Sequence, residues 1–297
     1  NSRHKARMKF LIQKIGFEEF MNLVNAETKA LKNHSFAIAD ASAWKVSEPS
    51  LKADIKAPET AEYQTWIDTN TFEQKQKGFH AVYVRILNGN ISSTTSRSLI
   101  DELTGYIGDD IRITINQGLM LKYVPAANLA YVYSVLDAHG LAAPGANSIA
   151  NITACPGTDT CNLAISDSTN ITSKLEAVIT EEFPSLIHDS AMKIKISGCM
   201  NACGQHSMAS IGFHGSSLKA ADKRVLPALQ VLLGGATLGN GEGKIADKVI
   251  KVPSKRGPQV LRTLLNNFEE NAQADEYFHS YYDRQGEKYF YDLLKPI

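Results

Sequence analysis

The chain has four cysteines, all in two short segments: Cys155 and Cys161 in TACPGTDTCNLA, Cys199 and Cys203 in SGCMNACGQH. Thiols gathered this way serve disulfides, a zinc site or an iron–sulfur cluster. Disulfides concentrate in small secreted domains. This chain has 297 residues, and its basic start, NSRHKARMKF, lacks the apolar core of an export signal. Structural zinc favours Cys-x2–4-Cys knuckles on both sides, and the loop from Cys155 to Cys161 is wide for that. A cube of irons needs four thiolates spread around a body larger than one ion, which these wider loops suit. Gly157, Gly198 and Gly204 allow the backbone close to such a body. Spacing ranks the cluster first, with zinc and unpaired structural cysteines as alternatives. Cys161 is expected at the start of a helix running through Leu163 and Ile165, where free N–H groups favour a thiolate.

Elements on both sides must hold these loops. MKIKISG alternates Met192, Ile194 and Ile196, a strand that delivers the chain to Cys199. MASIGFHG, LPALQVLLGG and KVIKVP read as further strands. GPQVLRTLLNNFEE follows as a helix, then an aromatic-rich terminal helix, EYFHSYYDRQGEKYFYDLL, whose rings are expected to pack on the body. Upstream, HAVYVRIL puts His80, Val82, Val84 and Ile86 on one strand face. A helix with Leu99, Ile100, Leu103 and Ile107 on one face comes next. In IRITINQGLML, Ile111, Ile113 and Ile115 then alternate with Arg112, Thr114 and Asn116. A helix from Pro125 to Gly140 completes a small α+β unit. GLAAPGANS marks a boundary. At the start, apolar residues from Met8 to Leu23 recur at helical spacing behind a basic cluster of Arg3, Lys5, Arg7 and Lys9. Periodicity fades from Ser35 to Glu73, as in a connecting segment.

TACPGTDTCNLA and SGCMNACGQH resemble the signature of sirohaem-dependent nitrite and sulfite reductases, which bind one [4Fe–4S] cluster through cysteine pairs at these spacings. IRITINQGLML resembles the family's strand ending in an Asn-Gln step, and the first helix resembles the segment opening the second half of these enzymes. The resemblance implies an α+β chain: an N-terminal helix and connecting segment (1–73), a ferredoxin-like half-domain (74–143), then an α/β cluster- and sirohaem-binding domain (144–297). It implies that Cys155, Cys161, Cys199 and Cys203 ligate the cluster, with Cys203 bridging to the sirohaem iron. Gln117, Ala154 and Asn201 would lie against the sirohaem. The implied reaction is a six-electron reduction of a small anion, in the cytoplasm, with ferredoxin as electron donor. The CGQH step and the Thr-Ala-Cys-x-Gly opening incline to nitrite, and sulfite is the alternative. The family's substrate-binding cations lie in an N-terminal half. The chain is therefore expected to need that half, attached or separate, for turnover.

Other features divide between chemistry and packing. His206 and His214 are candidate proton donors, against an ordinary packing role. LLGGATLGNGEG does not give G-x-G-x-x-G; it is a surface turn or a loop turning Lys244, Lys255 and Arg256 toward sirohaem carboxylates. Lysine plus arginine equals aspartate plus glutamate at 31 each, so no global field favours nucleic acid. No run approaches a membrane span. The rival from another class is a non-catalytic module that holds zinc or a cluster structurally.

Overall fold

Gly16, with φ +84, divides the first apolar stripe into two helices, α1 (Met8–Ile15) and α2 (Phe17–Ala30), where the periodicity predicts one. The computed structural model describes residues 8–31, 48–52, 55–239 and 241–297. Arg3, Lys5, Arg7 and, of the expected connecting segment, residues 35–47, 53 and 54 lie outside them. The chain divides into two compact units, Asn1–Lys45 and Val46–Ile297. In the first, Met8, Phe17 and Leu23 are exposed.

The second unit opens on α3 (Ala61–Asn70) and β1 (Thr71–Glu73), inside the stretch expected to be a connection. Its polar composition hides the helix, yet Thr60 caps it and Trp66 is fully buried. Then come β2 (Phe79–Val84), α4 (Ser93–Leu103), β3 (Ile111–Ile113), β4 (Leu119–Pro125) and α5 (Leu129–Ala138). The strands form an antiparallel sheet in the order β1-β2-β4-β3. Val82, Val84, Leu121 and Val124 meet Leu99, Leu103, Val132 and Leu136 beneath it. Ile100, expected on the buried face of α4, is exposed, as are Ile111, Ile113 and Ile115 at the β3 edge.

The cysteine region follows: β5 (Thr153–Ala154), α6 (Ser168–Glu182), β6 (Ile194–Ser197), β7 (Ile211–Lys219) and β8 (Val225–Leu233). A hairpin of β9 (Ala236–Gly239) and β10 (Glu242–Lys244) leads to β11 (Asp247–Pro253). Helices α7 (Gly257–Asn271), α8 (Phe278–Gln285) and α9 (Glu287–Leu294) end the chain. The last two come from the single helix expected, divided at Gly286 with φ +83. The five-stranded sheet runs β11-β8-β7-β6-β5, with β5, β6 and β7 parallel. One face carries Ile194, Ile196, Ile211, Phe213, Leu229 and Val231 into a core with α6 and α7, closed by Phe278, Tyr281, Tyr282 and Phe290.

Two side chains tie the sheets together. Asn70, fully buried, donates to Tyr83 O and Ala143 O and accepts from Ala146 N, fixing the GLAAPGANS boundary to the first sheet. Arg85 donates to Pro144 O and Ala150 O and pairs with Glu176 on α6 at 3.1 Å. Glu176 in turn accepts from Ile152 N at 3.1 Å, just before β5. Burial pushes Glu176 up and Arg85 down, each opposed by the other's charge. Removing one member of such a pair strands a buried charge, a loss of about 3–5 kcal/mol. We expect Arg85→Met to lower stability by that amount in urea denaturation. Glu176→Gln keeps an acceptor for Ile152 N–H but leaves the Arg85 guanidinium without its counter-charge, so it should cost a similar amount.

Candidate functional site

Strands β5 and β6 pair in parallel, Thr153 with Lys195 and Ala154 with Ile196, so both cysteine segments leave the sheet at the same edge. In open α/β sheets, the carboxyl ends of parallel strands are where ligands bind. Gly198 joins the two arms. Its N–H donates to Cys155 Sγ at 3.0 Å, and its carbonyl accepts from Ile165 N at 2.7 Å and Ser166 N at 3.1 Å. A Cβ at Gly198 would lie 2.6 Å from Gly157 Cα and 2.9 Å from Ala164 Cβ. Cys155 is half-buried, Cys199 buried, and Cys161 and Cys203 exposed, all as free thiols. Leu163, Ile165 and Met200 form an exposed apolar rim beside them.

Cys161 does not begin a helix. It follows a 3₁₀ turn at Gly157–Asp159, and the next helix, α6, begins at Ser168 with Asp167 accepting from Asn170 N as its cap. Asp-Ser-Thr-Asn is the stronger start signal, since the cap satisfies a free N–H that Cys161 would leave unpaired. The start of α6 meets the other cysteine instead. Ser168 Oγ donates to Cys155 O at 2.6 Å and lies 3.7 Å from Cys155 Sγ.

Gln117 is not on a strand face either. β3 stops at Ile113, and Gln117, with φ +64, belongs to the turn into β4. Its carboxamide donates to Ala154 O at 2.7 Å and accepts from Ala154 N at 2.8 Å. Gln117 therefore acts as an extra strand residue beside β5, fixing Ala154 one residue before Cys155. Asn116 donates to Asn147 at 2.6 Å and accepts from Thr153 at 3.3 Å, and Thr153 accepts from Lys195 Nζ at 3.1 Å. Lys193 Nζ donates to Asn147 O. Asn201 and Ala202 lie half-buried in the turn between Cys199 and Cys203, Ala202 with φ +60. Lys244 pairs with Asp283 rather than turning to the cysteines, and Arg256 bonds Gln259.

The sheet face away from the helical core is polar. Register sets Thr153, Lys195, Gly212, Leu232 and Lys248 in one row, and Ser197, His214, Gln230 and Lys251 in the next. Lysines at alternate positions of MKIKISG were the available sequence signal for this face. Burial and then Lys193 push Lys195 down to about 8. Burial, His214 and Lys248 push His206 down to about 4. His206 Nδ1 and His214 Nε2 are buried without partners. Among the described residues no three His, Cys, Asp or Glu side chains gather on one ion-sized centre. The wide Cys155–Cys161 loop, joined to the second cysteine segment at Gly198, suits a multi-iron body better than a single zinc, and the cationic face beside them fits an anionic group.

Two cysteine-bearing loops leave the carboxyl ends of paired parallel strands on an α+β frame. Residues 145–296 match the nitrite and sulphite reductase 4Fe-4S domain, and residues 72–139 the nitrite/sulfite reductase ferredoxin-like half domain. The chain belongs to this nitrite and sulphite reductase family, whose cofactors are a [4Fe–4S] cluster and sirohaem. It is 28% identical to a ferredoxin sulfite reductase of Mycobacterium tuberculosis, over 93% of this chain and 46% of that one. It is 24% identical to a ferredoxin–nitrite reductase of Synechococcus elongatus, over 89% and 46%. The solved structure of the Mycobacterium tuberculosis NirA protein shares the fold, with TM-score 0.68, 24% identity and coverage of 97% and 50%. The chain spans about half the length of these relatives. No helix among the described residues is long and apolar enough to cross a membrane.

Two outcomes follow. Gly198→Ala should drive the arms apart and cut iron and acid-labile sulfide incorporation at least ~10-fold, because its new Cβ meets backbone. Gly243→Ala, whose Cβ would meet nothing nearer than 3.4 Å, should leave incorporation unchanged. The second outcome concerns pH. An unfolded histidine takes a proton near 6.5, whereas folded His206 resists it down to about 4. Between those values the unfolded state binds more protons, so stability falls as pH falls. Melting temperature should drop from pH 7 to pH 4.5, and drop less in His206→Gln.

Proposed function

We propose that this chain is the cluster- and sirohaem-bearing part of a six-electron reductase that converts nitrite to ammonia. The observation carrying this reading is the cradle: two cysteine arms joined at Gly198 at the carboxyl edge of parallel strands. Cys155, Cys161, Cys199 and Cys203 would hold the cluster, with Cys203 also reaching the sirohaem iron. Ala154, Asn201 and Gln117 would line the sirohaem side, Gln117 through its grip on Ala154. When bound, the coupled cofactors supply electrons one at a time to a single substrate atom. The chain's own work is positional and electrostatic: it fixes the thiolates, covers one flank with Leu163, Ile165 and Met200, and offers Lys195 and its neighbours as counter-charge.

Sulfite is the second reading, favoured by the higher identity to a ferredoxin sulfite reductase than to a nitrite reductase. The electron donor is assigned to a ferredoxin, in the cytoplasm. A second ferredoxin-like half, on this chain or another, is assigned the cations that hold the substrate. Support for it comes from the β3 edge, a three-residue strand whose Ile113 is 87% exposed, with Ile115 in the turn beyond it 71% exposed. Such an apolar open edge suits pairing with another sheet.

Anaerobic reconstitution tests the assignment. The protein should take up about four irons and four sulfides per chain and, with sirohaem, give a haem-type visible spectrum. Cys199→Ser should lose the cluster. With the complete enzyme and reduced ferredoxin, nitrite should turn over faster than sulfite. Colourless protein holding one zinc per chain would overturn the reductase reading.

A further inference from the structure

The segment that follows Cys203 folds back over the polar face of the five-stranded sheet. Gly204 N donates to Ser197 Oγ at 3.0 Å, and Ser197 stands opposite His214 in register. Two residues on, His206 places its carbonyl over Gly212, where a Cβ would lie 2.1 Å from it. The His206 and His214 rings therefore meet beneath this segment, centroids 4.8 Å apart, 3% and 6% exposed. His214 Nδ1 lies 2.9 Å from Gly215 O, so that nitrogen carries the proton and Nε2 presents a lone pair. Neither His214 Nε2 nor His206 Nδ1 has a partner. Each ring, its centroid 4.8 Å from the other's, thus keeps one buried nitrogen unsatisfied.

The charged groups facing the pair are Lys248 and Lys251 from β11, with Lys195 in the adjacent row on β6; Gln230 on β8 is neutral. No carboxylate contributes to the field at either imidazole. A proton on the pair is thus disfavoured until negative charge arrives nearby. The nearest route for such charge is the cysteine cradle, since Gly204 connects Cys203 to Ser197 beside His214.

Resting on the cluster reading above, we infer that His206 and His214 form a one-proton store that fills as an electron arrives at the cysteine cradle. For each electron accepted from a low-potential one-electron donor, one proton passes from solvent to the pair. It closes an N–H···N bond between His206 Nδ1 and His214 Nε2. The bond that breaks is an O–H of the hydronium ion that delivers the proton, leaving water, and the added charges cancel. A reaction that consumes protons with every electron would draw on this store.

The test is a spectroelectrochemical titration of the reconstituted holoprotein from pH 5 to pH 7, using an electrode so that no sulfur oxyanion is introduced. One proton per electron lowers the cluster potential by about 59 mV for each tenfold fall in proton concentration. We expect that slope in the wild type, and less than half of it in His214→Gln and in His206→Gln. A flat wild-type slope, or a full slope in both variants, overturns the proton store. Should neither variant assemble a cluster, reduced-minus-oxidised infrared spectra of wild-type protein with isotope-labelled histidine decide. Imidazolium gained on reduction supports the store, and unchanged histidine bands overturn it. Failure of the wild type to assemble any four-iron cluster would instead refute the cluster reading.

Discussion

Gly198 is where the molecule's two halves of chemistry become one site. A residue with no side chain lets backbone from the first cysteine arm pass 2.6 Å from where its Cβ would sit. The same residue then ties that arm down through Cys155 Sγ, Ile165 N and Ser166 N. Two of these three bonds run backbone to backbone, so the spacing between arms leans on the main chain and on the β5–β6 pairing more than on flexible side chains. Everything behind the sheet serves that pairing. Ile194 and Ile196 are anchored in the helical core on one face, and Arg85 and Glu176 fix the approach to β5. Gln117 reaches from the other sheet to hold Ala154.

The two faces of that sheet have opposite duties. The apolar face supplies burial, which is largely sequence-tolerant as long as volume is kept. The polar face carries Lys195, Ser197, His214 and Gln230 at low exposure. Buried groups of that kind cost free energy unless they find partners. Thr153, Asn116 and Asn147 relieve part of this by forming a chain of hydrogen bonds into the ferredoxin-like sheet. The chain crosses the boundary between the two domains, so the same bonds that satisfy Lys195 also set how the sheets face each other.

How much of this was legible beforehand depended on whether a feature is local. The alternation leading into Cys199 and the apolar stripe of the helix through Leu99 and Leu103 are local, and the strand and helix formed accordingly. Leu163 and Ile165 suggest a helix beginning at Cys161, whereas the Asp167 cap fixes its start later. Gln117 was assigned to a strand because alternation does not reveal where a hairpin turns; Gly118, whose Cβ would lie 2.4 Å from Val84 O, marks the turn. The helix containing Trp66 was missed because a single buried tryptophan among polar residues has no period. Arg85 with Glu176 joins residues far apart in sequence, and no pattern announces such a pair.

The polar sheet face beside the cysteine loops carries lysines and histidines. Four thiolates with a cluster would bring negative charge of their own. Lysines and histidines brought closer to neutrality by burial answer that charge. At neutral pH Lys195, pushed down to about 8, is mainly charged and His206, pushed down to about 4, is neutral, so His206 is the group with charge to gain. A frame of fully ionised arginines would have bound anions more tightly but could not follow successive electrons, since guanidinium does not titrate in this range. A polar face made of groups poised on either side of neutrality is therefore better matched to a site that must accept charge repeatedly and return to its starting state.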